Sequence, residues 1–198
     1  LMLQWGMDPV PDEPLPPAGT LGFRIQRYDM TTWGDLFNAR QKLALITFTE
    51  KVRQAHEEML KAGYGEEYAK AVASYLSLMI SRCSDFDSHL VRWFNHVENT
   101  CNTFARPALP MTWDYFELNL FSPSCQGTIK SMMNQVLKPI DGIINTFSGA
   151  AQATQSSATM LPYQDNFFDA VLTDPPYYDN VPYSYLSDFF YVWLKRSI

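Results

Sequence analysis

The sequence predicts an α/β chain in which helices dominate. Three observations carry that expectation: a proline-rich opening, helical spacing of apolar residues through most of the chain, and an apolar strand that runs into a proline turn near the C-terminus. In domain terms this divides the chain into an extended arm with a short strand (1–34), a mainly helical region (35–147) and a strand-loop-helix segment (148–198).

The arm holds Pro9, Pro11, Pro14, Pro16 and Pro17 with Gly19 and Gly22. Proline removes a backbone donor and fixes φ, so this stretch is extended and not helical. Phe23–Tyr28 alternates weakly and reads as a short edge strand, and Thr31–Asp35 as a turn. From about Asp35, Leu45, Phe48, Val52, Ala55 and Met59 recur at helical spacing, and Gly63 and Gly65 end that helix. Glu66 and Glu67 open a second helix, where negative charge suits the N-terminus. It carries Ala69, Val72, Leu76, Met79, Ile80 and Cys83 on one face. A third helix is expected from Asp85 to Thr100, bearing Leu90, Trp93, Phe94 and Val97. A fourth runs from Gln126 to Phe147, bent or interrupted at Pro139. Ala158–Pro162 reads as a strand end, Asp165-Asn166 as a turn and Phe167–Thr173 as a buried strand. Tyr185–Ile198 returns to helical spacing through Leu186, Phe189, Phe190, Trp193 and Leu194.

The 198 residues are 46% hydrophobic and 18% charged, enough apolar content to bury a core, which excludes wholesale disorder. No apolar run approaches the ~20 residues of a membrane helix, and nothing reads as a signal peptide. No membrane partner is therefore expected, and a cytoplasmic location follows. The net charge of −6 excludes a basic protein that coats nucleic acid, although it leaves a local basic face open. Cys83, Cys101 and Cys125 are odd in number and widely spaced, so neither a zinc ribbon nor a disulfide framework is expected. His89 and His96 lie seven apart on the expected third helix without a third ligand, so no metal site is assigned. The chain begins at Leu1 and stops at Ile198 directly after helical spacing, and it reads as a piece of a longer protein.

Chemistry concentrates in Asp174-Pro175-Pro176-Tyr177. Two prolines after a strand cannot continue a ladder, so the chain leaves in a rigid turn at the carboxyl end of the strand, where open α/β sheets place ligands. The Asp174 carboxylate and the Pro175 carbonyl can accept the two hydrogens of a planar exocyclic amine. Holding those hydrogens in the ring plane turns the nitrogen lone pair toward an electrophile. Tyr177 offers a face on which a flipped base can stack, an interaction worth about 1–3 kcal/mol. A plain proline turn would show the same four residues; the strand before it and the aromatic helix after it favour the chemical reading.

Phe168–Tyr177 resembles the catalytic motif of N6-adenine DNA methyltransferases. Thr173–Asn180, with Val181-Pro182-Tyr183 and Leu186–Leu194, resembles more closely a family of large prokaryotic adenine-specific DNA methylases, which carry a domain of unknown function and often a zinc ribbon. Pro17–Arg24, Trp33–Gln41 and Thr112–Asn119 look like further blocks of that family. The resemblance implies a partial Rossmann-like sheet of the S-adenosylmethionine-dependent methyltransferase kind with a substantial helical insertion. It implies S-adenosyl-L-methionine as methyl donor and a flipped adenine in DNA as substrate. By position, Asp174 and Pro175 hold the amine, Pro176 sets the loop shape and Tyr177 stacks on the base.

One departure stands out. The family's glycine-rich cofactor loop after the first strand is missing, since the only G-x-G, Gly63-Tyr64-Gly65, joins two helices. Cofactor-binding residues are therefore unassigned. The chain is expected to be inactive alone, to lack most of the donor pocket and to need the rest of its parent polypeptide as partner. Similar tetrapeptides serve cytosine N4, RNA adenine and protein glutamine, which stay as alternatives, as does a non-catalytic helical interaction module. Tyr178, Asp179 and Asn180 either contact base or donor, or cap the loop before the last helix. Arg24, Arg27, Arg40 and Lys42 form a modest basic cluster that reads first as a solvated face and second as a phosphate contact. Trp33, Trp93, Trp113 and Trp193 read as core or domain-contact residues.

Overall fold

The computed structural model describes residues 6–96, 98–123, 125–146, 149, 152–178 and 180–198. Among the described residues, four α-helices build the core: α1 (Ala39–Lys61), α2 (Glu66–Phe86), α3 (Ile129–Thr146) and α4 (Tyr183–Ser197). α1 and α2 pack together as a hairpin, α4 lies against both, and α3 lies against α2. Their buried faces meet through Leu45, Val52, Ile80, Cys83, Met132, Phe189 and Trp193.

Local chemistry explains the helix limits. Asn38 and Gln41 form a reciprocal capping box at the start of α1: Gln41 N donates to Asn38 Oδ1 at 2.9 Å, and Asn38 N donates to Gln41 Oε1 at 2.8 Å. At its end, Tyr64 N donates to Met59 O and Gly63 N to Leu60 O, each at 3.1 Å. This is a Schellman closure, and it requires the left-handed conformation that Gly63 adopts at φ 86°. Leu45 and Val52 of the expected stripe are buried, while Phe48, Ala55 and Met59 are half-buried. α3 starts three residues later than its spacing suggests and runs on through Pro139, with Phe147 outside the described residues.

The expected third helix over Asp85–Thr100 does not form. α2 stops at Phe86, and β1 (Arg92–Phe94) pairs antiparallel with β2 (Asn99–Cys101) in the register Arg92↔Cys101. Side chains with short polar groups compete for the backbone here. Asp85 Oδ1 accepts from Phe104 N at 3.2 Å and Asp85 Oδ2 from Asn102 Nδ2 at 3.1 Å. Thr103 N donates to Asp85 O at 2.7 Å, and the Ser88 and Thr103 hydroxyls lie 2.7 Å apart. Leu90 is buried as expected, but Trp93 and Phe94 are exposed on the hairpin, and Val97 lies outside the described residues. His89 and His96 therefore share no helix face: His89 packs on Tyr115, and His96 sits at the hairpin turn beside Phe94.

The arm is extended and tightly held. Trp33 N donates to Glu13 O at 3.0 Å and Gly34 N to Pro11 O at 2.7 Å. A Cβ on Gly34 would stand 2.6 Å from Pro11 O, so only glycine allows this approach. The far end of the chain completes the clasp. Arg196, 1% exposed, donates to Asp8 O, Val10 O, Val192 O and the Glu13 carboxylate. Lys195 also pairs with Glu13. Burial opposes the Glu13 charge, but the hydrogen bonds from Arg196 and Lys195 prevail and hold its carboxyl below the ordinary range.

Three strand expectations fail, one in the arm and two near the C-terminus. Ile25–Tyr28 is a 3-10 helix, and Phe23 makes only a single parallel bridge to Leu109. Trp33–Leu36, which overlaps the turn expected over Thr31–Asp35, is likewise a 3-10 helix. The stretch 167–173 is neither a strand nor buried, with Leu172 97% exposed. A parallel strand needs neighbours on its edges, and among the described residues none lies beside it. Ser157 and Met160 form one bridge within a tight turn in place of the strand end. Among the described residues the sheet is thus the two-stranded hairpin alone, and the chain is a helix-dominated mixed structure.

Candidate functional site: an open proline turn before helix α4

Residues 152–178 lead from a small polar approach, opened by Gln152, into the expected site. Residues 171–177 have no regular secondary structure and all are exposed. Asp174, Pro175, Pro176 and Tyr177 follow one another in solvent, Tyr177 being 75% exposed. The Asp174 carboxylate makes no hydrogen bond or ion pair with the described residues. The two prolines supply no N–H, so nothing draws this stretch into a helix or ladder.

α4 begins at Tyr183, after residues 178–182. Leu186 N donates to Pro182 O at 3.1 Å, and Pro182 stands at the N-cap with no side-chain cap. Of the residues weighed as capping or contact groups, Asn180 is exposed in a turn and does not cap the helix, and Tyr178 is 99% exposed. Asp179 lies outside the described residues. α4 itself is firmly anchored: Phe189 is fully buried and packs on Phe37, Phe104 and Trp33. Residues 174–177 are therefore an open segment that precedes the anchored helix α4.

Upstream of the turn the structure holds a feature that the strand expectation hid. Tyr163, Phe167 and Phe168 form an aromatic cluster, with both phenylalanines exposed. Tyr163 stacks on Phe167 at 5.2 Å, and Phe168 meets both edge-on at 4.7 and 4.9 Å. With Met160 and Val171 they line a shallow concavity of about 590 Å3. The signal in the sequence is the spacing of three rings at 163, 167 and 168, two of them in a stretch that reads as strand.

The one Gly-x-Gly of this chain does not form a methyl-donor cradle. The Gly63-Tyr64-Gly65 turn is the closure between α1 and α2, and a Cβ at Gly63 or Gly65 would meet nothing within 4 Å. A cradle that holds a nucleoside needs close walls, and none stands there. Among the described residues no cluster of three or more His, Cys, Asp or Glu side chains could hold a metal ion. Nor, among them, is any helix long and apolar enough to cross a membrane. Cys83 is buried against Met132, and burial pushes its thiol up to about 12, which leaves it inert as a nucleophile.

A second polar group gathers where α1 begins and α2 ends. Arg40 grips the Glu117 carboxylate with two hydrogen bonds of 2.7 and 2.6 Å, and Asn38 Nδ2 adds a third at 3.1 Å. Asp87 is buried nearby. Its burial first, and the Glu117 charge second, push its carboxyl up to about 7, with the Gln41 amide offsetting part of the effect. Burial likewise holds the His89 imidazole below its ordinary value. The exposed Arg40 ties Glu117, and with it the segment 112–118, to the start of α1, so the group is structural. Of the four tryptophans read as core or domain-contact residues, Trp33 and Trp193 lie in the core, whereas Trp93 and Trp113 are 45% and 79% exposed.

No family model, curated protein or solved structure matches this chain.

Proposed function

We propose that this chain supplies the substrate-amine half of a DNA adenine-N6 methyltransferase. The observation that carries the reading is the exposed Asp174-Pro175-Pro176-Tyr177 stretch, its carboxylate unengaged by the described residues, ahead of the anchored α4. Such a carboxylate is free to accept a hydrogen from an incoming amine. The Pro175 carbonyl accepts the second hydrogen, Pro176 keeps the corner stiff and Tyr177 stacks on the flipped base. Positioning an amine asks for no covalent nucleophile from this chain, in keeping with the inert Cys83.

On this reading the methyl donor, S-adenosyl-L-methionine, is held by residues other than those described, in the rest of a longer polypeptide. The stretch 167–173 then joins a Rossmann-like sheet built with that remainder. The test is methyl transfer by the parent polypeptide to adenine-containing DNA, with cytosine-only DNA, RNA and a glutamine peptide as parallel substrates. Transfer to adenine N6 alone is expected. Transfer to another planar amine would move the assignment to that substrate, and no transfer to any would remove it.

A further inference from the structure

We infer that the loop over residues 17–27 is a phosphate-gripping face for a nucleic-acid strand, separate from the adenine-holding turn. Two successive β-turns shape it. Thr20 N donates to Pro17 O and Phe23 N to Thr20 O, each at 3.1 Å, with Gly19 at φ 96° and Gly22 at φ 80° in the third position of each turn. Left-handed φ at that position is the type II geometry that calls for glycine. The result is a pocket of about 260 Å3 lined by Gly19, Gly22, Arg24, Gln26 and Arg27.

Arg24 and Arg27 are exposed, and neither side chain makes a hydrogen bond or ion pair with the described residues. Arg106 is a third such cation. The backbone next to it passes close to the loop, with Pro107 O standing 3.4 Å from where a Gly22 Cβ would be. In a chain of net charge −6, Arg40, Arg82, Lys61, Lys70, Lys195 and Arg196 all sit in ion pairs. Among the described residues Lys42, Lys51, Arg92, Lys130 and Lys138 also make no ion pair, and what sets Arg24 and Arg27 apart from them is that both line one glycine-shaped pocket. Asp29 and Asp114 are the acidic neighbours in sequence, and neither is paired to these cations.

The aromatic surroundings choose the occupant. Tyr28, next to Arg27, meets Trp113 edge-on at 5.1 Å, and both are exposed. Arginines beside exposed rings suit a strand whose phosphates meet the cations and whose unstacked bases meet the rings. A free phosphate would use the arginines alone. The loop also borders the candidate site: Phe23 packs on Tyr185, in the first turn of α4, at 6.3 Å. The choice of nucleic acid leans on the proposed function, but the test involves no methyl transfer, so the two can fail separately.

The test is fluorescence anisotropy of the 198-residue chain with a labelled single-stranded DNA oligonucleotide across a salt series. Binding that weakens with salt is expected. Arg24→Gln with Arg27→Gln should weaken it at least about tenfold and lower the log–log salt slope by about 1.4, at roughly 0.7 per phosphate contact. Arg24→Lys with Arg27→Lys should stay within about threefold of the parent, as should a Lys130→Gln, Lys138→Gln control on α3. If the glutamine pair loses the native circular-dichroism spectrum, Arg106→Gln carries the same direction of effect. No binding by the parent chain, an unchanged slope in the glutamine variant, or displacement by inorganic phosphate at matched ionic strength would each overturn the proposal.

Discussion

Arg196 shows how much one side chain can decide. Its guanidinium is buried and spends its donors on two arm carbonyls, a carbonyl of its own helix and the Glu13 carboxylate. Arg196→Met should destabilise the fold by about 2–4 kcal/mol, since it orphans buried acceptors and releases the arm. Denaturant melts would measure it, and a loss under about 0.5 kcal/mol would show the clasp to be incidental. Asp87 makes a prediction of opposite flavour. Its folded pKa, about 7, lies above the ordinary carboxyl value of 3.8. The folded state then binds the proton more tightly, so this contribution to stability is full below about pH 4 and is lost as pH rises through about 7. Asp87→Asn should therefore raise the melting temperature more at about pH 8 than at about pH 5. An equal change at both would mean that Asp87 does not titrate as its surroundings require. Neither residue stands out in the sequence, because burial and long-range partners decide both.

At the scale of elements, the sequence makes legible what local spacing controls. The stripe through Leu45 and Val52, the glycine closure at Gly63 and the face through Ala69, Ile80 and Cys83 all sit on helices as their periodicity implies. The helix expected beyond Asp85 fails because Asp85, Ser88 and Thr103 divert the backbone into a hairpin, and those contacts span 15 residues or more. The strand expected over 167–173 fails for another reason. Its apolar composition is that of a buried strand, but a strand is completed by neighbours, and this chain brings none to it among the described residues. Substitutions there separate the two conditions. Leu172→Asp should change the chain's stability by less than about 0.5 kcal/mol, given its 97% exposure, whereas Phe189→Ala in α4 should cost about 3–5 kcal/mol. Thermal or urea melts of both variants check the contrast, and a large cost at Leu172 would mean that the strand is formed and buried after all.

For the whole molecule, the arm, the α1–α2 hairpin and α4 form one clasped body that presents the proline turn from the start of α4. The candidate site is legible as a motif because proline chemistry is local. Its aromatic neighbour cluster is legible only as ring spacing at 163, 167 and 168, since the apolar run through Phe167 and Phe168 has the composition of a sheet interior. The glycine-rich donor loop is missing from the sequence as a motif, and the Gly63-Tyr64-Gly65 turn forms no cradle in its place. The most direct measurement is the rate of methyl transfer to adenine in DNA by the parent polypeptide, compared with its Asp174→Ala variant. The expected result is a loss on the order of a hundredfold or more, with the circular-dichroism spectrum and DNA affinity retained. Equal rates in the two proteins would contradict the claim that this turn holds the reacting amine.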